Sequence, residues 1–239
     1  MSITSESRVV VVGGTSGIGL AVARAVTKRG AQVYIGSRSS ESVEKALAGL
    51  TGGAGRQVDV TDPESLQSFF AEAGEIDHLV YTAGDDVIRA PIAEYTPLKA
   101  QTFFDVRLFR ALDTVRAALP ALKSTGSVTL TSGAAAYLGG PGRVLNAAVG
   151  GAIISAGQSL ASELGPIRVN VVVPGIVRTP LWDRMPQETQ DEMFANAGSQ
   201  TLVGRVAEAE EVAETYVHLM AADYVTGTVS LVEGGLLRA

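Results

Sequence analysis

A glycine-rich turn near the start of the chain has the composition of a phosphate-binding loop. Directly after the apolar run of residues 9–12, the sequence is Gly13-Gly14-Thr15-Ser16-Gly17-Ile18-Gly19. Glycine allows a tight turn and close approach of the backbone to a pyrophosphate, and the following helix offers its N-terminal N–H groups to the anion. We therefore predict a dinucleotide site whose contacts include Gly13, Thr15, Ser16, Gly17, Ile18 and Gly19. A nucleoside-triphosphatase loop is excluded, because Leu20-Ala21 stands where that motif requires Lys followed by Ser or Thr.

A cation follows about twenty residues later, at the end of the second expected strand. Dinucleotide sites have here either an acid for the ribose 2′-hydroxyl or a base for a 2′-phosphate, and this sequence has Ser37-Arg38-Ser39. Arginine forms charge-assisted, often bidentate bonds to phosphate, and the flanking hydroxyls add donors. The pattern predicts NADP(H) rather than NAD(H). The alternative is a solvent-exposed arginine at a strand end.

Short β-branched runs alternate with amphipathic stretches along the chain. Strands are expected at Val9–Val12, Gln32–Gly36, Gln57–Asp59, His78–Thr82, Ser127–Thr131, Arg168–Val173 and Thr228–Val232. Helices are expected at Gly17–Arg29, Ser40–Leu50, Pro63–Ala73, Leu98–Leu122, Asn146–Leu164 and Ala207–Ala222. This alternation predicts an α/β fold, a doubly wound Rossmann-type domain with a mostly parallel seven-stranded sheet. We expect one domain over residues 1–239, with a substrate flap at residues 180–202.

Composition excludes several classes of function. The 239 residues include no cysteine and two histidines, which excludes disulfides, thiolate zinc sites and iron–sulfur clusters. The formal charge of −6 argues against nucleic acid or an anionic membrane as the main partner. Residues 124–142 and 144–162 carry no charge, but their Gly, Pro, Ser and Asn content favours packing against protein over lipid. No targeting segment is expected before the first strand, which predicts a cytoplasmic protein.

The chain resembles the short-chain dehydrogenase/reductase family over essentially its whole length. The matching motifs are Gly13-x3-Gly17-Ile18-Gly19, Asp59-Val60, Thr82-Ala83-Gly84, Pro174-Gly175-x3-Thr179, Gly204-Arg205, Tyr224-Val225-Thr226-Gly227 and Val232-Glu233-Gly234-Gly235. The resemblance implies a nicotinamide cofactor, a small-molecule substrate and a homotetramer or homodimer. It also implies that Asp59 and Val60 hold the adenine and that Ala83 and Gly84 lie near its ribose. It further implies that Pro174 and Gly175 bind the cofactor and that Val177 and Thr179 hold the carboxamide.

The catalytic positions implied by the resemblance depart from the family pattern of Asn, Ser and Tyr-x3-Lys. Arg107 stands at the asparagine position, Asn146 at the tyrosine position and Gly150 at the lysine position. The serine position falls on Gly133, with Ser132 beside it as a substitute. We therefore expect Arg107, Ser132 and Asn146 to form the catalytic set. Arginine cannot act as an acid, but its charge can stabilise a developing oxyanion.

Other candidates for the missing acid are weaker. The string from Tyr95 to Lys99 matches Tyr-x3-Lys but contains a proline and precedes the fourth helix. Tyr137 is the one tyrosine in the loop after the fifth strand and could reach the site from there. Asp85-Asp86 could line the mouth of the substrate site, although adjacent acids in a loop are commonly only solvated.

Three functions are compatible with this pattern. The first is an NADP(H)-dependent oxidoreductase that acts on a carbonyl or alcohol with a rearranged active site. The second is a non-redox enzyme, an isomerase, cyclase or lyase, that keeps the bound cofactor. The third is a non-catalytic NADP(H)-binding subunit.

Overall fold

The computed structural model describes residues 3–84 and 91–239. Its centre is a parallel seven-stranded sheet in the order β3-β2-β1-β4-β5-β6-β9. The strands are β1 Arg8–Val12, β2 Gln32–Ser37, β3 Ala54–Gln57, β4 Ile76–Tyr81, β5 Leu122–Thr131, β6 Arg168–Pro174 and β9 Val229–Val232. A separate two-stranded pair joins β7 Val177–Arg178 to β8 Ala207–Glu208. The predicted doubly wound Rossmann-type fold is confirmed.

Helices cover both faces of the sheet. They are α1 Gly17–Thr27, α2 Ser40–Ala48, α3 Pro63–Ala73, α4 Pro97–Phe104, α5 Arg110–Ala118, α6 Val144–Glu163, α7 Gln187–Ser199 and α8 Ala209–Ala221. One apolar core lies between the sheet and α3, α5 and α6. The second lies between the sheet and α1, α2 and α8.

Strand β1 is apolar and buried at four consecutive positions, Val9 to Val12. Val10 and Val12 belong to one core, whereas Val9 and Val11 belong to the other. Successive side chains of a strand point to opposite faces, so a central parallel strand covered on both faces must be apolar at every position. This double burial places the glycine-rich turn at the end of a rigid element.

Two expected elements are wrong. The single helix over Leu98–Leu122 is instead α4, a π-helical turn at Asp105–Phe109 and α5, and Leu122 already begins β5. The third strand lies at Ala54–Gln57, not Gln57–Asp59. Gly55 explains this strand, because a Cβ built there would lie 2.4 Å from the Ile35 carbonyl oxygen. Glycine is required at position 55 because the backbone of β2 is so close. Strand propensity alone therefore does not predict β3 at this place.

Helix α6 is long and apolar enough to cross a bilayer by length and composition alone. One side of it packs on the sheet, where Asn146, Val149, Gly150, Ile153 and Gly157 are buried. Gly157 is required for this packing, because a Cβ there would lie 2.3 Å from Cγ2 of Val171 on β6. A core helix of an α/β protein accounts for the same pattern.

His78 lies inside the sheet, where its Nδ1 is 2.9 Å from Ser127 Oγ. Burial lowers the pKa of His78 to about 4, against a smaller opposite effect of Asp77. The imidazole is therefore neutral in the folded protein at pH 7. In the unfolded chain its ordinary pKa near 6.5 means that it takes up a proton as the pH falls from about 6.5 to 4.

We predict that this protonation lowers the free energy of unfolding by about 3 kcal/mol between pH 6.5 and 4. The His78→Gln variant should lose that part of the pH dependence, as measured by urea unfolding across this range. His218→Gln, at an exposed position of α8, is the matched control and should behave as the unsubstituted protein. An unchanged pH dependence in His78→Gln would contradict the assignment.

Candidate active site

A cleft of about 1430 Å³ lies at the carboxyl ends of the central strands. Residues that follow six strands line it, namely Gly13, Arg38, Thr82, Ser132, Gly175 and Glu233. In an open parallel sheet this edge is where ligands bind. The volume accommodates a dinucleotide together with a small substrate.

The glycine turn packs so closely that side chains are excluded. A Cβ at Gly19 would lie 2.2 Å from the Gly13 carbonyl oxygen and 2.4 Å from Thr82 Oγ1. Gly13 has a φ of +86°, in the region that glycine favours. The hydroxyl of Thr82 donates to the carbonyl oxygens of Val12 and Gly13 at 3.1 and 3.2 Å, which holds the turn in place. The turn therefore brings the start of α1 to the cleft.

The N-terminus of α1 is suited to an anion from outside the chain. Its N-cap residue, Ser16, makes no side-chain capping bond, and the first turn contains no acidic residue. Side chains cap α2, α3, α4 and α8, whereas α5, α6 and α7 have no side-chain cap, like α1. Ser16, Gly17, Ile18 and Gly19 line the cleft. Their N–H groups and the positive end of the helix dipole fit a pyrophosphate.

Arg38 follows β2 and also lines the cleft. Its backbone carbonyl accepts from Gln57 Nε2 at 3.0 Å, which ties the segment to the end of β3. Ser39 caps α2 by accepting from the Ser42 N–H at 3.1 Å. Asp59 is exposed, and hydrogen bonds from Thr61 lower the pKa of its carboxyl group. Arg38 is therefore the charged group that this end of the cleft offers to a phosphate.

The structure brings only part of the expected cofactor set to the cleft surface. The residues in the lining are Gly13, Ser16, Gly17, Ile18, Gly19, Arg38, Gly84, Pro174, Gly175, Val177 and Thr179. Those outside it are Thr15, Ser37, Ser39, Asp59, Val60 and Ala83. Val60 is buried in the core. A backbone N–H or a hydroxyl near the rim remains able to reach a ligand, so these positions stay predictions.

A π-helical turn positions Arg107. The Arg110 N–H donates to the Asp105 carbonyl, five residues back, while the guanidinium of Arg110 bridges the carboxylates of Asp105 and Asp113. The buried Tyr81 donates its hydroxyl to the Val106 carbonyl at 2.5 Å. Such single π turns rotate the residues that follow and are frequent at functional sites. This turn was not predictable from sequence, because its residues match an ordinary helix.

The Arg107 guanidinium lies beside Gly84, just beyond the carboxyl end of β4. Its carbon is 4.7 Å from the centre of the Phe103 ring. A Cβ built at Gly84 would be 3.3 Å from one of its terminal nitrogens, so glycine there leaves room for the side chain. The cation is thus held against an aromatic face and the cleft surface. Asp85 and Asp86, the acids expected near this mouth, lie outside the described residues.

The start of α6 forms the opposite wall. Asn146 is 9% exposed and lines the cleft. Ser132 also lines it, but its hydroxyl donates to the Gly150 carbonyl at 2.9 Å. A Cβ at Gly133 would meet no heavy atom within 4 Å. Position 133 therefore faces open space in which a serine hydroxyl would fit, and the hydroxyl that is present is already engaged as a donor.

The described lining contains no tyrosine, lysine or histidine. The sequence of residues 85–90, Asp-Asp-Val-Ile-Arg-Ala, adds none of these types. Tyr137 is 50% exposed and lies outside the described cleft lining, so its reach into the site from the loop stays a prediction. Tyr95 and Lys99 also lie outside the lining, and Lys99 donates to the Glu94 carbonyl. The cleft is therefore rich in hydrogen-bond donors and poor in groups that release a proton near pH 7.

The segment at residues 180–202 contributes one side of the cleft. Trp182 is buried against Phe194 and Val206 and donates its indole N–H to the Val177 carbonyl at 3.0 Å. Arg184 and Met193 from the same segment line the cleft. Sequence reasoning missed Arg184, whose signal was its position two residues after Trp182. The segment contains α7 and packs on β7 through Trp182.

Arg205 and Glu211 form an ion pair at the edge of the lining. The guanidinium nitrogens are 2.6 and 2.7 Å from the carboxylate oxygens. This pair, with the Glu208 N–H, holds the pKa of Glu211 at about 2. Glu211 is thus ionised at neutral pH. The other carboxylate of the described lining, Glu233, accepts from the Leu237 N–H at 3.0 Å.

Comparisons with known proteins agree with this architecture. Residues 12–237 match the family model described as "Enoyl-(Acyl carrier protein) reductase". "Short-chain dehydrogenase/reductase ucsE" of an Acremonium species is 33% identical, covering 97% of this chain and 95% of that protein. The solved "MalC Reductase/Diels-Alderase from Malbranchea aurantiaca" is 29% identical, covering 100% and 99% of the two chains with a TM-score of 0.92. A small-chain dehydrogenase solved in complex with NADPH is 31% identical, covering 98% and 100% with a TM-score of 0.84.

Proposed function

This chain belongs to the short-chain dehydrogenase/reductase family, and on that premise we propose that it is an NADP(H)-dependent oxidoreductase with a rearranged active site. Its substrate is a small molecule with a carbonyl or alcohol group. The proposal rests on one observation. The glycine turn, Arg38, Arg107 and Asn146 all line the same cleft. The chain acts as one domain, with residues 180–202 as its substrate flap.

The choice of NADP(H) as cofactor depends on the groups that would bind its phosphates. The uncapped N-terminus of α1 would hold the pyrophosphate, and Arg38 would hold the 2′-phosphate through charge-assisted bonds. Ser37 and Ser39 flank Arg38 and offer their hydroxyls to the same phosphate. A solved relative that holds NADPH supports the choice of cofactor. When bound, NADPH supplies the hydride for carbonyl reduction.

The proposed reaction depends on two hydrogen-bond donors, Arg107 and Asn146. The Arg107 guanidinium stabilises negative charge that develops on the substrate oxygen, and the Asn146 amide adds a hydrogen bond to the same atom. Ser132 already donates its hydroxyl hydrogen to the Gly150 carbonyl, so it can donate to a substrate only after that bond rearranges. Since no tyrosine, lysine or histidine lines the described cleft, the proton comes from water. Loss of a positioned acid typically costs about 10²–10⁴ in rate, so slow reduction is expected.

A non-redox reaction is the second candidate. Arg107 and Asn146 polarise a carbonyl without giving it a proton, which suits isomerisation, cyclisation or elimination. The solved relative whose name combines a reductase with a Diels–Alderase supports a scaffold that carries both kinds of chemistry. In this candidate the cofactor stays bound and unchanged.

Assembly and location follow the family resemblance. We propose a homotetramer or homodimer in the cytoplasm. The exposed apolar residues Phe109, Leu112 and Val144, on or beside α5 and α6, support a contact between subunits. They are 46, 36 and 51% exposed in the single chain.

Hydride transfer separates the candidates. NADPH deuterated at the transferable position of C4, tested with both stereoisomers, is incubated with the protein and a panel of aldehydes and ketones. We expect deuterium in the alcohol product from one stereoisomer only, with loss of reduced-nicotinamide absorbance. Product that forms without either change, and equally with NADP⁺, would replace the redox proposal with the non-redox one. No product in any assay would favour a non-catalytic subunit.

A further inference from the structure

The turn at Asp105–Phe109 has a hydrogen-bond pattern that an α-helix does not have. In an α-helix the N–H of Arg110 would donate to the carbonyl of Val106, four residues back. Here it donates to the carbonyl of Asp105, five residues back. The Val106 carbonyl instead accepts from the hydroxyl of Tyr81, at an oxygen–oxygen distance of 2.5 Å. The tyrosine hydroxyl therefore replaces the main-chain donor that an α-helix would supply at this carbonyl.

The sheet holds Tyr81 firmly in place. Tyr81 is the last residue of β4, the middle strand of the seven, and is 2% exposed. Its strand pairs on one side with Val12 of β1 and on the other with Leu130 of β5. Its backbone carbonyl also accepts from the Thr131 hydroxyl at 2.7 Å. Because a buried hydroxyl without a hydrogen bond is costly, the ring fixes the carbonyl to which it donates.

The ion pairs of Arg110 contribute less to the choice of a π turn. Arg110 contacts Asp105 and Asp113 at 2.8 Å, with side chains that are 27 and 32% exposed. Water screens ion pairs of this exposure, and they typically contribute little. The pair with Asp113 lies within α5, at a spacing of three residues that an ordinary helix also brings together.

The position of Arg107 depends on this turn. Arg107 follows Val106 directly, and one of its terminal nitrogens is 3.3 Å from a Cβ built at Gly84. Successive residues of an α-helix are rotated by about 100°, so an α-helical turn in place of the π turn would rotate Arg107 relative to α5 by about that angle. Since α5 is fixed in the core by its buried face, the rotation would carry Arg107 away from Gly84.

We propose that Tyr81 is a positioning residue, whose hydroxyl stabilises the π turn over an α-helical one and thereby places Arg107 at the reacting end of the cleft. Tyr81 does not belong to the described cleft lining, so it acts through Arg107 and not on the substrate. This inference rests on the proposed function, since it takes Arg107 to act on the substrate oxygen.

Crystal structures of the unsubstituted protein and of Tyr81→Phe test the placement without any reaction. In the variant, we expect the Arg110 N–H to donate to the Val106 carbonyl and the Arg107 guanidinium to leave Gly84. Tyr81→Met, which has a flexible apolar side chain without a hydroxyl, is the second variant and should give the same change. A π turn that persists in either variant, with Arg110 still bonded to Asp105, would overturn the proposal.

A double-mutant cycle tests whether Tyr81 acts through Arg107. Tyr81→Phe should lower kcat for NADPH-dependent aldehyde reduction at least about tenfold, because a misplaced donor stabilises the developing oxyanion less well. The dissociation constant for NADPH should stay the same. In the Arg107→Gln background, the same substitution should have no further effect on kcat. An equal loss in both backgrounds would overturn the proposal.

The matched control is Thr27→Val on α1. It also removes a buried hydroxyl that donates to a helix carbonyl, that of Ala23 at 3.0 Å, and Thr27 lies outside the cleft lining. This variant should keep the kcat of the unsubstituted protein. If no form of the protein reduces an aldehyde, the proposed function fails, and the crystal structures still decide whether Tyr81 places Arg107.

Discussion

Placing a serine and a tyrosine in the cleft, by Gly133→Ser with Asn146→Tyr, should raise the rate of NADPH-dependent aldehyde reduction about a hundredfold. A tyrosine of ordinary pKa, near 10, holds its proton at neutral pH and can pass it to the developing alkoxide. The serine adds a hydrogen bond to the same oxygen. The rate is measured as loss of reduced-nicotinamide absorbance per molecule of bound cofactor.

Position 133 has room for a serine side chain, whereas position 150 is too crowded for a lysine. Gly133 has an extended φ of −165° and open space at its Cβ position. A Cβ at Gly150 would instead lie 3.0 Å from Ala136 Cβ and 3.2 Å from Ser132 Oγ. Lysine at Gly150 is therefore omitted, because its neighbours would have to shift.

The matched control for this gain is Gly133→Ser with Asn146→Phe, which has the same ring without the hydroxyl. Both double variants must unfold cooperatively before their rates are compared. The phenylalanine variant keeps the added serine but has no phenolic proton to give, so its rate should stay far below that of the tyrosine variant. Equal rates in the two folded variants would show that position 146 does not face the reacting carbon, and would remove the idea of a vacated acid site.

The Arg38→Asp variant should bind NADPH more than tenfold more weakly and should improve NADH binding relative to NADPH. The change removes a charge-assisted donor from the 2′-phosphate and brings a carboxylate to the same place, which repels it. A tenfold loss corresponds to about 1.4 kcal/mol, and loss of a bidentate bond together with repulsion exceeds this. Dissociation constants from nicotinamide fluorescence give the comparison.

Arg116→Asp is the control for charge, since it alters the formal charge of the protein by the same amount at a site outside the cleft. It should leave both cofactor affinities unchanged. If the ratio of NADPH to NADH affinity is the same in Arg38→Asp as in the unsubstituted protein, the 2′-phosphate assignment is wrong.

The fold was predictable because its signals are local and repeated. The apolar run of β1 must be buried on both faces, and Asp62 with Pro63 marks the start of α3, which the structure has at Pro63–Ala73. Gly13 and Gly19 could be assigned to a turn because the turn excludes a Cβ at each. The predicted position of strand β3 was wrong, because the need for glycine at position 55 comes from its contact with Ile35 on the neighbouring strand.

The reacting end was predictable only in part. Arg107 and Asn146 were identified through resemblance to the family, and the structure brings both to the cleft. The π turn that positions Arg107 accepts a hydrogen bond from the Tyr81 hydroxyl at the Val106 carbonyl, a contact between residues 25 positions apart. The bond that engages Ser132 with Gly150 and the contribution of Arg184 likewise arise from tertiary packing. No spacing rule in the sequence carries such information.

Whether the cleft binds NADP(H) can be measured by a fluorescence titration of the cofactor-stripped protein with NADPH and with NADH. We expect NADPH to bind saturably with a dissociation constant in the micromolar range, about tenfold or more tighter than NADH. Saturation by neither nucleotide would contradict it, since the glycine turn and Arg38 would then bind no dinucleotide.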